Sequence, residues 1–210
     1  MTSAGNLVVA AWRGEHRPAD GSWQRIASWQ TGLYAVLSFT GHAAVSAPES
    51  VSDADLTSWG VDGFGGAHDP RVMTRLVGED GWVDVLDAVL VAAGTGDGGL
   101  VARPDLARHP RVAHAREVRD EVEVFGWHGR DDVVVTRGLS FGGLAVVSYE
   151  IEPGARGEGL GTRTVQAARG LVPEGEPVIA LVSPGNVSSL RAALRAGFEP
   201  VGSVQLYRPA

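Results

Sequence analysis

A glycine-rich segment between a predicted strand and a predicted helix most constrains the fold of this 210-residue chain. It reads Arg156-Gly157-Glu158-Gly159-Leu160-Gly161. The apolar run Leu144–Ile151 before it predicts a strand, and the apolar stripe over residues 160–169 after it predicts a helix. A turn of this kind presents free backbone N–H groups at the positive end of a helix dipole. It is therefore a favourable place for a phosphate group.

The spacing Arg-x-x-Gly-x-Gly is weak evidence by itself, because the chain contains 29 glycines. Chance alone gives roughly 0.3 such matches in a chain of this composition. A second segment, Gly94-Thr95-Gly96-Asp97-Gly98-Gly99, matches the spacing of a dinucleotide-binding turn and also follows a predicted strand. That turn requires a helix that begins at its third glycine. The glycine pair and the nearby Pro104 disfavour a helix, so we expect a flexible loop here.

The composition excludes several kinds of chemistry. The chain has no cysteine, which removes disulfides, thiolate metal sites and cysteine nucleophiles. All 18 basic residues are arginines, which excludes Schiff-base lysines and the lysine-dependent P-loop. The 6 histidines show no metal-ligand spacing, so we expect no metal. The net charge of −7, without an arginine-rich tract, argues against nucleic acid as a partner.

The longest apolar run near the N-terminus, Leu7–Trp12, is too short for a signal peptide or a membrane span. We therefore expect a cytoplasmic protein with no membrane association. The acidic balance of charges is compatible with a cationic substrate such as an amine.

The second half of the chain has the clearer pattern. We expect the order β-hairpin, β, α, β, α, β over residues 106–210, which form the core. The predicted elements are the hairpin Glu121–Trp127 and Asp132–Gly138, the strand Leu144–Ile151, a helix over residues 160–169, the buried strand Pro177–Val182, a helix that begins after Asn186, and the strand Val201–Tyr207. This order predicts an α/β fold of the α+β type, with a mixed, mainly antiparallel sheet flanked by helices.

The first half, residues 1–105, is expected to be an α/β region integrated with that core. Its predicted helices are Ser22–Gln30, Asp53–Trp59 and Pro70–Leu76, and its predicted strands are Leu33–Phe39, Ala43–Ala47 and Val83–Ala93. The stretch over residues 94–110, rich in Gly, Asp and Pro, is expected to connect the two halves.

Three motifs at characteristic distances identify a family resemblance. They are Arg156-x-x-Gly159-x-Gly161 after a strand that ends in Glu-Pro, then Asn186-x-x-Ser189, then Ala196-Gly197-Phe198-Glu199-Pro200. Together they resemble the GNAT superfamily of acyl-CoA-dependent N-acetyltransferases, over roughly residues 121–207. The resemblance implies a GNAT fold in which two central parallel strands splay apart. The pantetheine of acetyl-CoA then lies in the opening.

The resemblance also implies which residues bind acetyl-CoA. The pyrophosphate would bind backbone N–H groups from Gly157 to Thr162, Arg156 would shape the loop, and pantetheine amides would pair with the strand near Ile151. The implied set is Ile151, Arg156, Gly157, Glu158, Gly159, Leu160, Gly161, Thr162, Asn186 and Ser189. Capping of the following helix is an equally good interpretation of Asn186.

Acetyl transfer needs a base for the amine and an acid for the departing thiolate. Glu150 is the expected base, because it precedes the loop and is expected to be buried near the thioester, and Glu152 is the second candidate. Many family members carry a tyrosine four residues before the Gly-Phe pair, where this chain has Ala193. Tyr149 and Tyr207 are alternative acids, although a packing role suits each of them.

The resemblance implies transfer of an acetyl group from acetyl-CoA to a primary amine by direct attack. The identity of the amine acceptor is open, and so is a homodimer. The missing tyrosine motivates a second hypothesis, a non-catalytic acyl-CoA-binding or regulatory module. A third hypothesis is a nucleotide-binding protein that uses Gly94–Gly99.

Overall fold

The computed structural model describes residues 3–157 and 159–210. Its α-helices are α1 (Ala4–Trp12), α2 (Asp53–Ser58), α3 (Pro70–Val77), α4 (Pro110–Val118), α5 (Leu160–Ala168) and α6 (Val187–Arg195). Its strands are β1 (Trp23–Arg25), β2 (Tyr34–Phe39), β3 (His42–Val45), β4 (Trp82–Val83), β5 (Asp87–Ala93), β6 (Val101–Ala102), β7 (Asp120–Gly126), β8 (Val133–Ser140), β9 (Leu144–Ile151), β10 (Pro177–Val182) and β11 (Glu199–Arg208). Helices flank mostly antiparallel strands, which confirms the predicted α/β class.

The chain divides into two compact units. The first consists of residues up to 88 together with 201–210, and the second of residues 89–200. The sequence placed the division at residue 105, which falls inside the second unit. Strand β5 lies beside β10, which places the residues from 89 onward in the second unit, and β11 pairs with β2, from Ser203 with Ser38 to Tyr207 with Tyr34, which places residues 201–210 in the first. Pairing over such a separation along the chain leaves no local signal in the sequence.

The first unit contains the strand order β1-β3-β2-β11, with β4 paired to β11. The pairing of β1 with β3 is parallel, and the other pairings are antiparallel. Tyr207 is completely buried, donates its hydroxyl to the Ser46 carbonyl at 2.7 Å, and stacks on Tyr34 with ring centroids 5.7 Å apart. Apolar residues of α2 and α3, including Leu56 and Leu76, complete the core of the first unit.

Two predictions for the first unit were wrong. Residues 22–30 do not form a helix; instead, β1 pairs in parallel with β3, with Trp23 opposite Ala43. The apolar spacing in this stretch fits a helix locally, but β3 supplies the backbone partners of an extended chain. The predicted strand Val83–Ala93 is interrupted, because β4 ends at Val83 and β5 begins at Asp87.

The second unit contains the strand order β5-β10-β9-β8-β7-β6. Alternate residues of β8 point to opposite faces, so that Val135 joins the core under α5 and α6 while Val134 joins a cluster with Val112 of α4. Helices therefore cover both faces of this sheet. None of the helices in the described residues has the length and apolarity needed to cross a bilayer.

The parallel pair β9 and β10 separates part-way along its length. Their paired residues run from Ala145 with Val178 to Val147 with Ala180. Strand β9 continues to Ile151, and β8 remains paired with it to the end. The last residues of β9, after Val147, therefore have a backbone edge toward β10 that the described strands do not pair with. This is the opening that was predicted between the two parallel strands.

Candidate functional site

A cleft of about 350 Å³ lies at the end of β9 in the second unit. Its walls come from β9, from the glycine-rich segment, from the first turn of α5, and from α6. The predicted cofactor-binding residues that line it are Ile151, Arg156, Gly157, Gly159, Leu160, Gly161, Thr162, Asn186 and Ser189. The remaining predicted residue, Glu158, lies outside the described residues. Short-range motifs that were separate in sequence thus meet around one cleft.

Gly157 and Gly159 in the glycine-rich segment are favoured by their backbone conformation and not by close neighbouring atoms. Gly157 has φ of +107° and Gly159 has φ of +74°, and a Cβ added at either position would meet no atom within 4 Å. Glycine is therefore favoured here for its left-handed conformation. The Nε–H of Arg156 donates to the Ile151 carbonyl at 2.9 Å, which ties the segment to the end of β9.

Helix α5 begins without a side-chain cap. Its N-cap is Gly159, and no side chain of the described residues caps its first turn. The other described α-helices begin with side-chain caps from Ser3, Ser52, Asp69, His109 and Asn186. The first turn of α5 lines the cleft, so its backbone N–H end is presented to whatever the cleft binds.

Tyr149 places a phenol in this cleft. Its side chain packs toward α5 and α6, where its hydroxyl lies 3.5 Å from the position that a Cβ on Gly161 would take. Burial raises the pKa of Tyr149, and a hydrogen bond with Ser189 partly opposes that shift. The phenol is therefore protonated at neutral pH and can donate a proton.

Glu150 points to the other face of β9, where it meets α4. The Nε–H of Arg111 donates to Glu150 Oε2 at 3.3 Å, and both residues line the cleft. The side chains are 36% exposed for Arg111 and 37% for Glu150. The structure therefore shows a half-open ion pair where the sequence suggested a buried carboxyl group.

Glu152 also has a basic partner from the beginning of α4. His109 Nε2 lies 3.5 Å from Glu152 Oε1, and His109 Nδ1 accepts the backbone N–H of Arg111 at 3.1 Å. Because Nδ1 is an acceptor, the proton of a neutral ring lies on Nε2, facing the carboxylate. Within the described residues, no group of three or more His, Asp or Glu side chains is arranged to hold a metal ion.

Arg111 and His109 were not among the site residues predicted from the sequence. The pair His109-Pro110 does match an N-cap followed by a first-turn proline, so the helix start was detectable. The contact with β9 was not, because it joins residues 39 apart along the chain.

Asn186 caps helix α6, which is one of its two predicted roles. Its Oδ1 accepts the Ser189 backbone N–H at 3.2 Å and the Ser188 hydroxyl at 3.1 Å, which caps α6. The same residue lines the cleft together with Ser188 and Ser189. The cap thus holds these three polar side chains at the edge of the cleft.

Ala193, at the position of the family tyrosine, is 1% exposed and packs in the core, so α6 brings no phenol there. Tyr207 does not replace it, because its hydroxyl is bound to Ser46 in the core of the first unit. Of the two tyrosines considered as acids, Tyr149 is the one that lines the cleft.

The second glycine-rich segment is a packed loop. The N–H groups of Gly94, Thr95 and Gly96 donate to the carbonyls of residues 176, 169 and 172, at 2.7, 3.1 and 2.9 Å. A Cβ on Gly98 would lie 1.9 Å from the Ala167 carbonyl oxygen. No helix begins here, in agreement with the rejection of a dinucleotide-binding turn, but the loop is anchored rather than free.

No family model and no curated protein matches this chain. Among the solved structures that match is an acetyltransferase of the GNAT family from Colwellia psychrerythraea, 11% identical with a TM-score of 0.41 over 61% of this chain. This chain spans 57% of that protein. A GCN5-related N-acetyltransferase from Kribbella flavida is 17% identical, with a TM-score of 0.42 over 70% of this chain and 64% of its own.

A third match is AAC(6')-Ib, solved in a complex that includes acetyl-CoA. It is 15% identical, with a TM-score of 0.36 over 59% of this chain and 94% of its own. Each of these three TM-scores lies below 0.5, so the likeness alone decides neither the family nor the function of this chain.

Proposed function

We propose that this chain is an acyl-CoA-dependent N-acyltransferase of the GNAT superfamily that moves an acetyl group from acetyl-CoA to a primary amine. The observation that carries the proposal is the cleft itself. It joins an uncapped helix N-terminus, two left-handed glycines and an unfilled edge of β9. Two of the three family motifs, those that begin at Arg156 and Asn186, contribute residues to it.

The cleft offers complementary groups for each part of coenzyme A. Backbone N–H groups of the first turn of α5 suit the pyrophosphate, because a helix N-terminus favours anions, although that of Leu160 donates to the Gly157 carbonyl at 3.1 Å. The guanidinium groups of Arg156 and Arg195 also line the cleft and add positive charge. The free edge of β9 before Ile151 suits the pantetheine amides, which can pair with it as a strand would.

Direct attack forms a bond between the amine nitrogen and the thioester carbon, and breaks the carbon–sulfur bond. On the way from ammonium to amide the nitrogen loses two protons, and the departing thiolate gains one. Glu150, on the cleft wall, accepts the first proton directly or through water. Tyr149, whose phenol is protonated at neutral pH and whose pKa burial raises further, donates a proton to the thiolate and regains one from the nitrogen, so that one proton is released overall.

Titration calorimetry with acetyl-CoA, followed by thiol release over a panel of primary amines, tests this function. We expect binding, and turnover with at least one amine. Absence of acetyl-CoA binding to folded protein would reject the proposal. Binding without turnover on any amine would instead favour a non-catalytic acyl-CoA-binding module, which the buried Ala193 at the family tyrosine position motivates.

The roles of the two side chains are separable. We expect Glu150→Gln and Tyr149→Phe each to lower kcat by about 10²- to 10⁴-fold, the usual contribution of one proton-transfer group, with the dissociation constant of acetyl-CoA nearly unchanged. Glu152→Gln is the matched control for Glu150 and should retain most of the turnover. A Glu150→Gln enzyme with the kcat and pH–rate profile of the original would exclude Glu150 as the base.

A further inference from the structure

The contact between Arg111 and Glu150 leaves most of the Arg111 guanidinium free of other side-chain hydrogen bonds within the described residues. Both side chains are more than one-third exposed, and both line the cleft. Their contact uses only the Nε–H of Arg111, at 3.3 Å, which is long for a charged hydrogen bond. Within residues 3–157 and 159–210, this is the only side-chain hydrogen bond of Arg111. The rest of its guanidinium is available to a ligand.

A positive and a negative group side by side on a cleft wall match a ligand with the opposite pair. The carboxylate suits an ammonium group, and the guanidinium suits a carboxylate, which it can bind with two parallel hydrogen bonds. In an α-amino acid these two groups are attached to the same carbon. They are therefore as close together as the two side chains that would receive them.

Two neighbouring basic residues, His109 and Arg156, are less suited than Arg111 to bind the carboxylate of such a ligand. His109, the other basic residue at the start of α4, is directed toward Glu152 and does not line the cleft. Arg156 is tied to the Ile151 carbonyl in the segment proposed for the pyrophosphate. Arg111 is thus the cationic side chain beside the proposed base.

We propose that the acceptor is an α-amino acid, whose carboxylate binds Arg111 while its amino group faces Glu150. This inference rests on the proposed function, since it assigns the acceptor of the same transfer. The proton balance is that of the amine reaction: one ammonium proton passes to Glu150, and the second replaces the proton that Tyr149 gives to the thiolate. The product is an N-acylated amino acid and free coenzyme A.

Matched acceptors test the assignment. Thiol release is measured with a panel of L-amino acids, with the methyl ester of each, and with the corresponding amines that lack the carboxylate. We expect at least one amino acid to exceed its ester and its amine by about 10- to 100-fold in kcat/KM, the effect of one charged, bidentate contact. Equal or better use of the esters and amines would overturn the inference and leave the proposed function intact.

The Arg111→Gln variant provides a second test of the acceptor assignment. We expect the KM for the preferred amino acid to rise about 10-fold or more, while the KM for the amine without a carboxylate changes little. Arg111→Lys, which keeps the charge, should restore part of the loss. Arg116→Gln, on the same helix and outside the cleft, is the control and should leave both constants unchanged. An equal loss for both acceptors in Arg111→Gln would indicate a structural role and overturn the inference.

Discussion

Two glycine-rich segments of the second unit each follow a strand, Gly94–Gly99 after β5 and Arg156–Gly161 after β9. In the first, backbone N–H groups donate to carbonyls at residues 169, 172 and 176. Gly98 has no room for a Cβ, because the Ala167 carbonyl lies in its place. Glycine serves close packing there, and the hydrogen-bond donors are already used.

In the second segment the same residue type has the opposite use. Gly157 and Gly159 have open space around them and positive φ angles, and the helix that follows has no side-chain cap. Glycine there serves a backbone conformation that presents donors to a cleft. The comparison teaches that glycine content does not distinguish a phosphate site from a packed turn. What distinguishes them is where their N–H groups donate. In the first segment three consecutive N–H groups donate to carbonyls at residues 169–176, whereas the N–H groups of Arg156 and Leu160 in the second donate locally, to the carbonyls of Pro153 and Gly157.

The largest expected effect in this comparison is on acetyl-CoA affinity, from a negative charge introduced at Gly159. Asp and Asn both tolerate the left-handed backbone of Gly159, so a Gly159→Asp and Gly159→Asn pair isolates the negative charge. We expect Gly159→Asp to weaken acetyl-CoA binding by about 100-fold relative to Gly159→Asn, or about 2.7 kcal/mol, through repulsion of the pyrophosphate. Titration calorimetry on both folded variants measures it. Equal affinities would show that no phosphate binds at this position.

A smaller effect, on stability, is expected at the packed segment. Gly98→Ala forces a Cβ against the Ala167 carbonyl, and overpacking of this kind costs about 1–3 kcal/mol. The melting temperature should fall by about 3–10 °C, while acetyl-CoA affinity measured well below it is retained. Gly154→Ala is the control, since nothing lies within 4 Å of its added Cβ. Loss of acetyl-CoA binding by folded Gly98→Ala would contradict the assignment of this loop to packing.

The smallest expected effect is on the free energy of unfolding, from a substitution of Gly161 in the first turn of α5. A Cβ on Gly161 would make ordinary contacts, 3.5 Å from the Tyr149 hydroxyl and 3.8 Å from Ala192 Cβ. Gly161→Ala should therefore raise the free energy of unfolding by about 0.4–1 kcal/mol, through the lower entropy of the unfolded chain. Thermal unfolding measures the gain. A clear loss of stability would mean that this turn is as crowded as the loop at Gly98.

The parts of the fold that follow from short-range signals were predicted from the sequence. Leu144–Ile151 and Pro177–Val182 form strands with the predicted bounds, because each is an apolar run bounded by turn residues. The residues proposed to bind acetyl-CoA come from motifs next to those strands. The helix expected at residues 22–30 was wrong because a parallel partner, β3, decides the conformation of β1.

The acceptor side of the site could not be predicted in the same way. Arg111 and His109 meet the end of β9 only because α4 packs on that face of the sheet. Periodicity identifies which residues of a helix are polar, but it does not say which strand end they reach. Electrostatic partners separated along the chain therefore emerge only from the fold.

Strand β11 has a consequence for the order in which the chain acquires its structure during synthesis. The second unit is one continuous stretch, residues 89–200, whereas the first unit includes residues 201–210, which pair with β2. All the residues of the second unit have therefore been made before the first unit receives its final strand, although most of the first unit is translated earlier. A ribosome that stalls or stops after residue 200 would release a chain whose proposed catalytic cleft is fully encoded, with the sheet of the first unit missing a strand.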